Sequence, residues 1–134
     1  MINLVLKQLM NETQQLVNAI VEGMKQKKGE QIVVADLSNI GETICKYFVI
    51  CQGNSPAQVD AICDAIGETT LKMSGVKPIA VVGRQNAEWV AMDYSDVIVH
   101  IFQPLARAFY DLEHLWADAS LKHIEEDNCK EQKL

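Results

Sequence analysis

Between Glu88 and Phe102 two largely apolar runs, Trp89-Val90-Ala91-Met92 and Val97-Ile98-Val99-His100-Ile101-Phe102, are separated by a polar break at Ser95-Asp96. Apolar and β-branched runs on either side of so short a break specify a β-hairpin. With Ser95-Asp96 as its loop, Tyr94 pairs with Val97, Met92 with Val99 and Val90 with Ile101, and these six residues share one face because side chains alternate along a strand. That face is wholly apolar. The other carries Trp89, Ala91 and Asp93 opposite Phe102, His100 and Ile98, so it mixes large aromatic rings with ionisable groups. A face of this kind is a candidate recognition surface. A change of one residue in the loop would exchange the two faces, so the exposure of Trp89 relative to Val90 fixes the register.

The remaining elements follow in order. From about Asn3 to Met24, Leu9, Leu16, Val17, Ile20, Val21 and Met24 recur at helical spacing, with Lys25, Lys27 and Lys28 at the negative end of the helix dipole and Gly29 as a stop. Gln31–Leu37 reads as a strand and Ser38–Glu42 as a turn. Lys46–Cys51 is a second strand, apolar on both parities and therefore buried on both faces. Ser55 fits a helix N-cap, Pro56 the first helical position and Gln58 a capping box, and Val59, Ile62, Cys63, Ile66 and Met73 give the following helix its buried stripe up to Ser74-Gly75. Pro78–Gly83 makes a third strand, so strand, helix and strand predict a parallel unit with a crossover. Pro104 opens a last helix, with Leu105, Ala108, Phe109, Leu112, Leu115, Trp116 and Ala119 on a buried face and Arg107, Tyr110, His114 and Asp118 on the other. The order is α-β-β-α-β-β-β-α. It predicts an α/β (α+β mixed) fold, a mixed sheet of about five strands with helices packed on it, forming one domain over residues 1–119. Residues 120–134 are mostly charged and lack apolar periodicity, which predicts a frayed or disordered tail.

Composition narrows the function. Hydrophobic residues make up 49% of the 134, yet no run approaches the roughly 18 apolar residues that a membrane helix needs, and no basic region followed by an apolar core opens the chain. A soluble, cytoplasmic protein is expected. The four cysteines, Cys45, Cys51, Cys63 and Cys129, form no C-x-x-C pair and the three histidines do not join them at ligand spacing, so reduced thiols and no metal or cofactor are expected. Net charge is −6, and basic residues are scattered apart from Lys25-Gln26-Lys27-Lys28. Direct binding to a phosphate backbone is disfavoured, and a basic protein partner suits the charge better.

Three constellations bear on chemistry. Gly53-Asn54-Ser55 at a helix N-terminus offers backbone N–H groups to a phosphate, although capping explains the same residues. Asp93 and Asp96 fall on opposite parities, and Asp60 and Asp64 share one helical face, so neither pair makes the carboxylate clamp of a metal-dependent transferase. His100 and Asp93 are diagonal neighbours on the hairpin. No Ser or Cys nucleophile stands beside them, which favours a polar contact or a structural histidine over acid–base catalysis. A phosphoryl- or nucleotide-handling enzyme using Gly53–Ser55 and the hairpin carboxylates is the alternative reading.

The sequence resembles the ribosomal silencing factor family, RsfS or Iojap. The similarity runs through Asp36-Leu37-Ser38, Tyr47-Phe48-Val49-Ile50-Cys51 with Gly53 and Ser55, Gln58-Val59 with Ala61-Ile62, and Ala87-Glu88-Trp89-Val90-Ala91-Met92-Asp93-Tyr94. It continues through Asp96–Phe102 and Arg107–Trp116, covering about residues 4 to 119 in the same order. The resemblance implies a nucleotidyltransferase-like fold without catalytic activity. It also implies docking on the large ribosomal subunit through ribosomal protein L-fourteen, where small-subunit joining is blocked and translation repressed, and it allows a homodimer. Carried onto this chain, the implied contact positions are Trp89, Asp93, Asp96 and His100 on the hairpin, with Arg107 and Tyr110 nearby. Val82, Lys46 and Ser95 depart from the family's pattern.

Overall fold

The computed structural model describes residues 2–37, 45–111 and 120–124. The hairpin forms in the expected register. Strands β4 (Trp89–Asp93) and β5 (Val97–Phe102) pair Trp89 with Phe102, Val90 with Ile101, Ala91 with His100, Met92 with Val99 and Asp93 with Ile98. Tyr94 N–H closes the loop on Val97 O at 2.9 Å, and Ser95 takes a left-handed backbone (φ 75°), a conformation that glycine adopts at lower cost.

Among the described residues seven further elements surround the hairpin: α1 (Ile2–Gln26), β1 (Glu30–Asp36), β2 (Tyr47–Gln52), α2 (Pro56–Ser74), β3 (Ala80–Val82), α3 (Pro104–Tyr110) and β6 (Ser120–His123). The strands form one mixed sheet in the order β3-β4-β5-β2-β1-β6. β2 and β5 run parallel at its centre, and the other pairs are antiparallel. Phe48, Val49, Ile50 and Cys51 are all buried, as a strand covered on both faces requires. α1 and α2 cover one face over a core that includes Ile20, Met24, Ile32, Val49, Ile62, Ile66, Val90, Val99 and Ile101. A second, smaller core of Ala35, Leu37, Cys45, Phe48, Ile50 and Phe102 lies on the opposite face, with Trp89, Ile98 and Ala106 packed against it.

The helix ends follow local chemistry. Ser55 Oγ accepts from Gln58 N–H at 3.1 Å, and Gln58 Oε1 accepts from Asn54 N–H at 2.8 Å, a capping box shifted by one residue. Gln58 Nε2 also donates to the Lys27 and Lys28 carbonyls, which ties the start of α2 to the end of α1. At Gly23 a Cβ would stand 2.7 Å from Ile66 Cα, so α1 and α2 cross in backbone contact. Gly23→Ala is therefore expected to destabilise the protein by about 2 kcal/mol in urea denaturation with the slope unchanged, because the added methyl forces the helices apart.

Three expectations are corrected. β3 runs in the direction of β2 but is not its neighbour: β4 and β5 stand between them and β3 is a three-residue edge strand. The hairpin supplies two longer apolar strands, of which β5 takes the place beside β2 and β4 the place beyond it. Second, the chain does not leave the sheet at residue 119. Ser120–His123 pairs with β1 from Asp36↔Ser120 to Val33↔His123, as a sixth strand. Pairing of that kind satisfies backbone groups and needs no apolar periodicity. Third, α3 is one short helix closed by a left-handed Asp111 (φ 47°), and its phase is inverted. Leu105 is 86% and Phe109 81% exposed, whereas Tyr110 and Arg107 turn towards the sheet. The expectations for Leu112, His114, Leu115, Trp116, Asp118 and Ala119 lie outside the described residues.

Candidate functional site

On the sheet face opposite α1 and α2, β4 supplies Trp89, β5 supplies His100 and Phe102, β2 supplies Phe48 and α3 supplies Tyr110. Strand alternation puts Trp89, His100 and Phe102 on one side, and the one-residue link Gln103 between β5 and Pro104 brings α3 back over their end of the hairpin. Trp89 and Phe102 stack with centroids 5.1 Å apart and an interplanar angle of 24°. Tyr110 lies 4.5 Å from Trp89, and Phe109 meets Tyr110 edge-on at 5.1 Å. Leu105 is one helical turn from Phe109, so the two share the outer face of α3. Half-buried Trp89, Tyr110 (45% exposed), Phe109 and Leu105 thus make a continuous aromatic and aliphatic strip. Its outer half was not apparent in the sequence. The signal for it is the short link after Phe102, which fixes where α3 stands.

His100 lies beneath this strip, 6% exposed. Trp89 Nε1–H donates to His100 Nδ1 at 3.0 Å. An indole nitrogen only donates, so Nδ1 is an acceptor and the imidazole is neutral with its proton on Nε2. Nε2 is buried without a partner among the described residues. Burial pushes the His100 pKa down from 6.5 to about 4. Phe48 closes the other side edge-on, at 4.8 Å and 83°. A neutral, enclosed imidazole with Nδ1 engaged cannot relay protons with Asp93, whose Oδ1 accepts from Ser95 N–H at 2.8 Å instead.

The six residues singled out from the sequence divide into two groups. Trp89, His100 and Tyr110 come together, with Arg107 next along α3. The Arg107 guanidinium donates to Gln31 O at 2.7 Å and reaches Gln52 Oε1 at 3.4 Å, so it anchors α3 to the ends of β1 and β2. Asp93 and Asp96 stand at the loop end of the hairpin, roughly 13 Å along the strand from Trp89 at about 3.3 Å per residue. There the Asp96 carbonyl accepts from Lys46 and Tyr47 N–H, and its carboxylate lies 4.0 Å from Lys46 Nζ in a half-exposed ion pair.

The backbone donors at the start of α2 and the carboxylates on α2 bond within the protein. Asn54 N–H and Gln58 N–H, two donors that a phosphate at the α2 N-terminus would take, already bond to Gln58 and Ser55, and Asn54 Nδ2 donates to Glu30 at 2.7 Å. Asp60 and Asp64 hold Arg84, at 2.7 Å from its Nε and 2.8 Å from its Nη2, and these hydrogen bonds raise the arginine's pKa further. Burial pushes the Cys51 thiol up to about 12 and that of Cys45 up to about 11, so both are protonated at neutral pH. A cleft of about 350 Å³ between α1 and the β1–β6 edge is lined by Gln14, Val17, Asn18, Val34, Asp36, Tyr47 and Lys122. Among the described residues, Asp36 is the carboxylate on its wall.

The family described as "Ribosomal silencing factor during starvation" matches residues 10–133. Ribosomal silencing factor RsfS of Halalkalibacterium halodurans is 37% identical over 112 residues, which span 84% of this chain and 94% of that protein. Its namesake in Bacillus subtilis is 37% identical over 99 residues, 74% of this chain and 82% of that protein. A crystal structure of a Chromobacterium violaceum protein superposes with a TM-score of 0.73 at 31% identity, covering 78% of this chain and 85% of that one. Among the described residues no helix is long and apolar enough to cross a membrane.

Proposed function

This chain belongs to the RsfS family of ribosomal silencing factors, and from that membership we propose that it silences translation by docking on the large ribosomal subunit. In this reading it binds ribosomal protein L-fourteen in the cytoplasm and obstructs joining of the small subunit, with no catalytic step. The observation that supports the docking is the strip of exposed Tyr110, Phe109 and Leu105 beside half-buried Trp89 on a protein of net charge −6. An aromatic anchor in an acidic setting matches the chemistry of a basic protein partner. Asp93, Asp96 and Arg107 extend the proposed footprint, the carboxylates supplying charge at the loop end. His100, being buried, contributes from below. Self-association through the same exposed rings belongs to the proposal as well.

Sedimentation with purified ribosomal subunits at moderate salt tests this. The protein is expected to migrate with the large subunit, and Phe109→Ser to weaken that association roughly fivefold, since an exposed ring in an interface contributes on the order of 1 kcal/mol. Because Phe109 is 81% exposed, Tm is expected to move by no more than about 2 °C. Migration away from the large subunit, together with magnesium-dependent nucleotide binding, would instead favour an enzyme.

A further inference from the structure

A half-buried tryptophan at an interface has to present one particular edge of its ring. The stack on Phe102 sets the plane of the Trp89 indole, since face-to-face contact constrains tilt, but it tolerates rotation within that plane. Tyr110, tilted at 44° and 4.5 Å away, limits one side without distinguishing the pyrrole edge from the benzo edge. The directional contact is the 3.0 Å hydrogen bond from Trp89 Nε1–H to His100 Nδ1. It turns the pyrrole edge inward and leaves the benzo edge for the surface. His100 can serve as that acceptor because it is held in turn: its ring is 6% exposed, packed edge-on by Phe48 and offset-stacked at 6.0 Å with Phe102. An apolar residue would fill the same space but offer no lone pair.

We propose that His100 is a positioning residue for ribosome docking, which fixes the Trp89 indole in its binding orientation by accepting its N–H from beneath the surface. This rests on Trp89 being a contact residue. Orientation before binding matters because a side chain ordered in advance loses less freedom on association. His100 thus acts through Trp89 and touches no partner itself.

The test compares His100→Leu, which removes the acceptor, with His100→Asn, whose carboxamide oxygen reaches the position of Nδ1. Two readouts are used on the full chain: hydrogen exchange of the Trp89 indole N–H, assigned by its loss in Trp89→Phe, and affinity for purified large subunits. His100→Leu is expected to speed indole exchange and weaken binding, each about tenfold, the loss of one net hydrogen bond, and His100→Asn to restore most of both. In a Trp89→Phe background the two variants are expected to bind alike. His100→Met replaces the leucine variant should that one not fold. Unchanged indole exchange in the apolar variant, an asparagine variant no better than leucine, or a difference that persists in Trp89→Phe overturns the proposal. If the unaltered protein does not bind large subunits at all, the docking reading falls by itself, and indole exchange alone decides whether His100 positions Trp89.

Discussion

Replacing Trp89 with alanine is expected to weaken binding to the large ribosomal subunit by about 2 kcal/mol or more, roughly thirtyfold, in a chain that still folds. The side chain links the inner and outer parts of the aromatic strip. It stacks on Phe102, touches Tyr110 and donates to His100, so its removal exposes rings that were packed and leaves Nδ1 of His100 without its donor. Tyr110 then loses its nearest ring contact and keeps Phe109 at 5.1 Å and the longer approach to Phe102 at 6.4 Å, so the footprint loses shape as well as area. Folding survives because the larger core, built on Val90, Met92, Val97, Val99 and Ile101, faces α1 and α2 on the other side of the sheet. The cost in stability is about 1–2 kcal/mol, below the 3–5 kcal/mol of a fully buried tryptophan, since Trp89 is only half-buried. Equilibrium binding to purified subunits, paired with a thermal melt, separates the two effects. Full affinity in a folded Trp89→Ala protein would remove Trp89 from the footprint.

Acidification from pH 7 to pH 4 is expected to cost the folded state about 3 kcal/mol through His100 alone. Its pKa is about 4 in the folded protein, against an ordinary 6.5 in the unfolded chain. Above pH 6.5 both states are neutral at this residue and the contribution is nil. Between 6.5 and 4 the unfolded chain binds a proton that the folded protein refuses, so stability falls as pH falls, at about 1.4 kcal/mol per pH unit. The loss is nearly complete at pH 4. Protonation in the folded state would need Nδ1 to give up the Trp89 N–H, and it would place a charge beside Phe48 and Phe102. Urea denaturation of the wild type and His100→Asn at pH 7, 5.5 and 4.5 isolates the residue, because other groups titrate in both proteins. The wild type is expected to lose about 2–3 kcal/mol more than the variant over that range. Parallel losses would mean that His100 is not enclosed as described.

The hairpin was legible because two independent signals agree: a two-residue loop sets the register, and alternation then assigns every side chain to a face. Trp89 and Val90 fall as that logic requires, the first half-buried and the second fully buried. The centre of the sheet was legible for a similar reason, since an apolar run on both parities such as Phe48–Cys51 belongs between neighbours. What alternation does not tell is what covers a face. The side bearing His100 reads as mixed and open, yet α3 and the second core close over most of it. Helical periodicity has the same weakness in α3: it groups Leu105 with Phe109 but does not say which way the group points. Tyr110 and Arg107 took the inner side because Trp89 offers a ring to pack on, and the ends of β1 and β2 offer acceptors. β6 left no trace in the pattern because an edge strand is recruited through its backbone.

The parallel joint between β2 and β5 pairs Tyr47 with Val97 and Gln52 with Phe102, residues fifty apart in sequence, whereas Trp89 and His100 are eleven apart. Closing the longer loop costs about 1 kcal/mol more in chain entropy, and α2 and β3 have to find their places on the way. Folding is therefore expected to begin in the hairpin and to be timed by the β2–β5 joint, as with other folds rich in distant pairings. The indole and the imidazole come into register on a local scaffold, and the sheet then closes around a recognition element that is already formed.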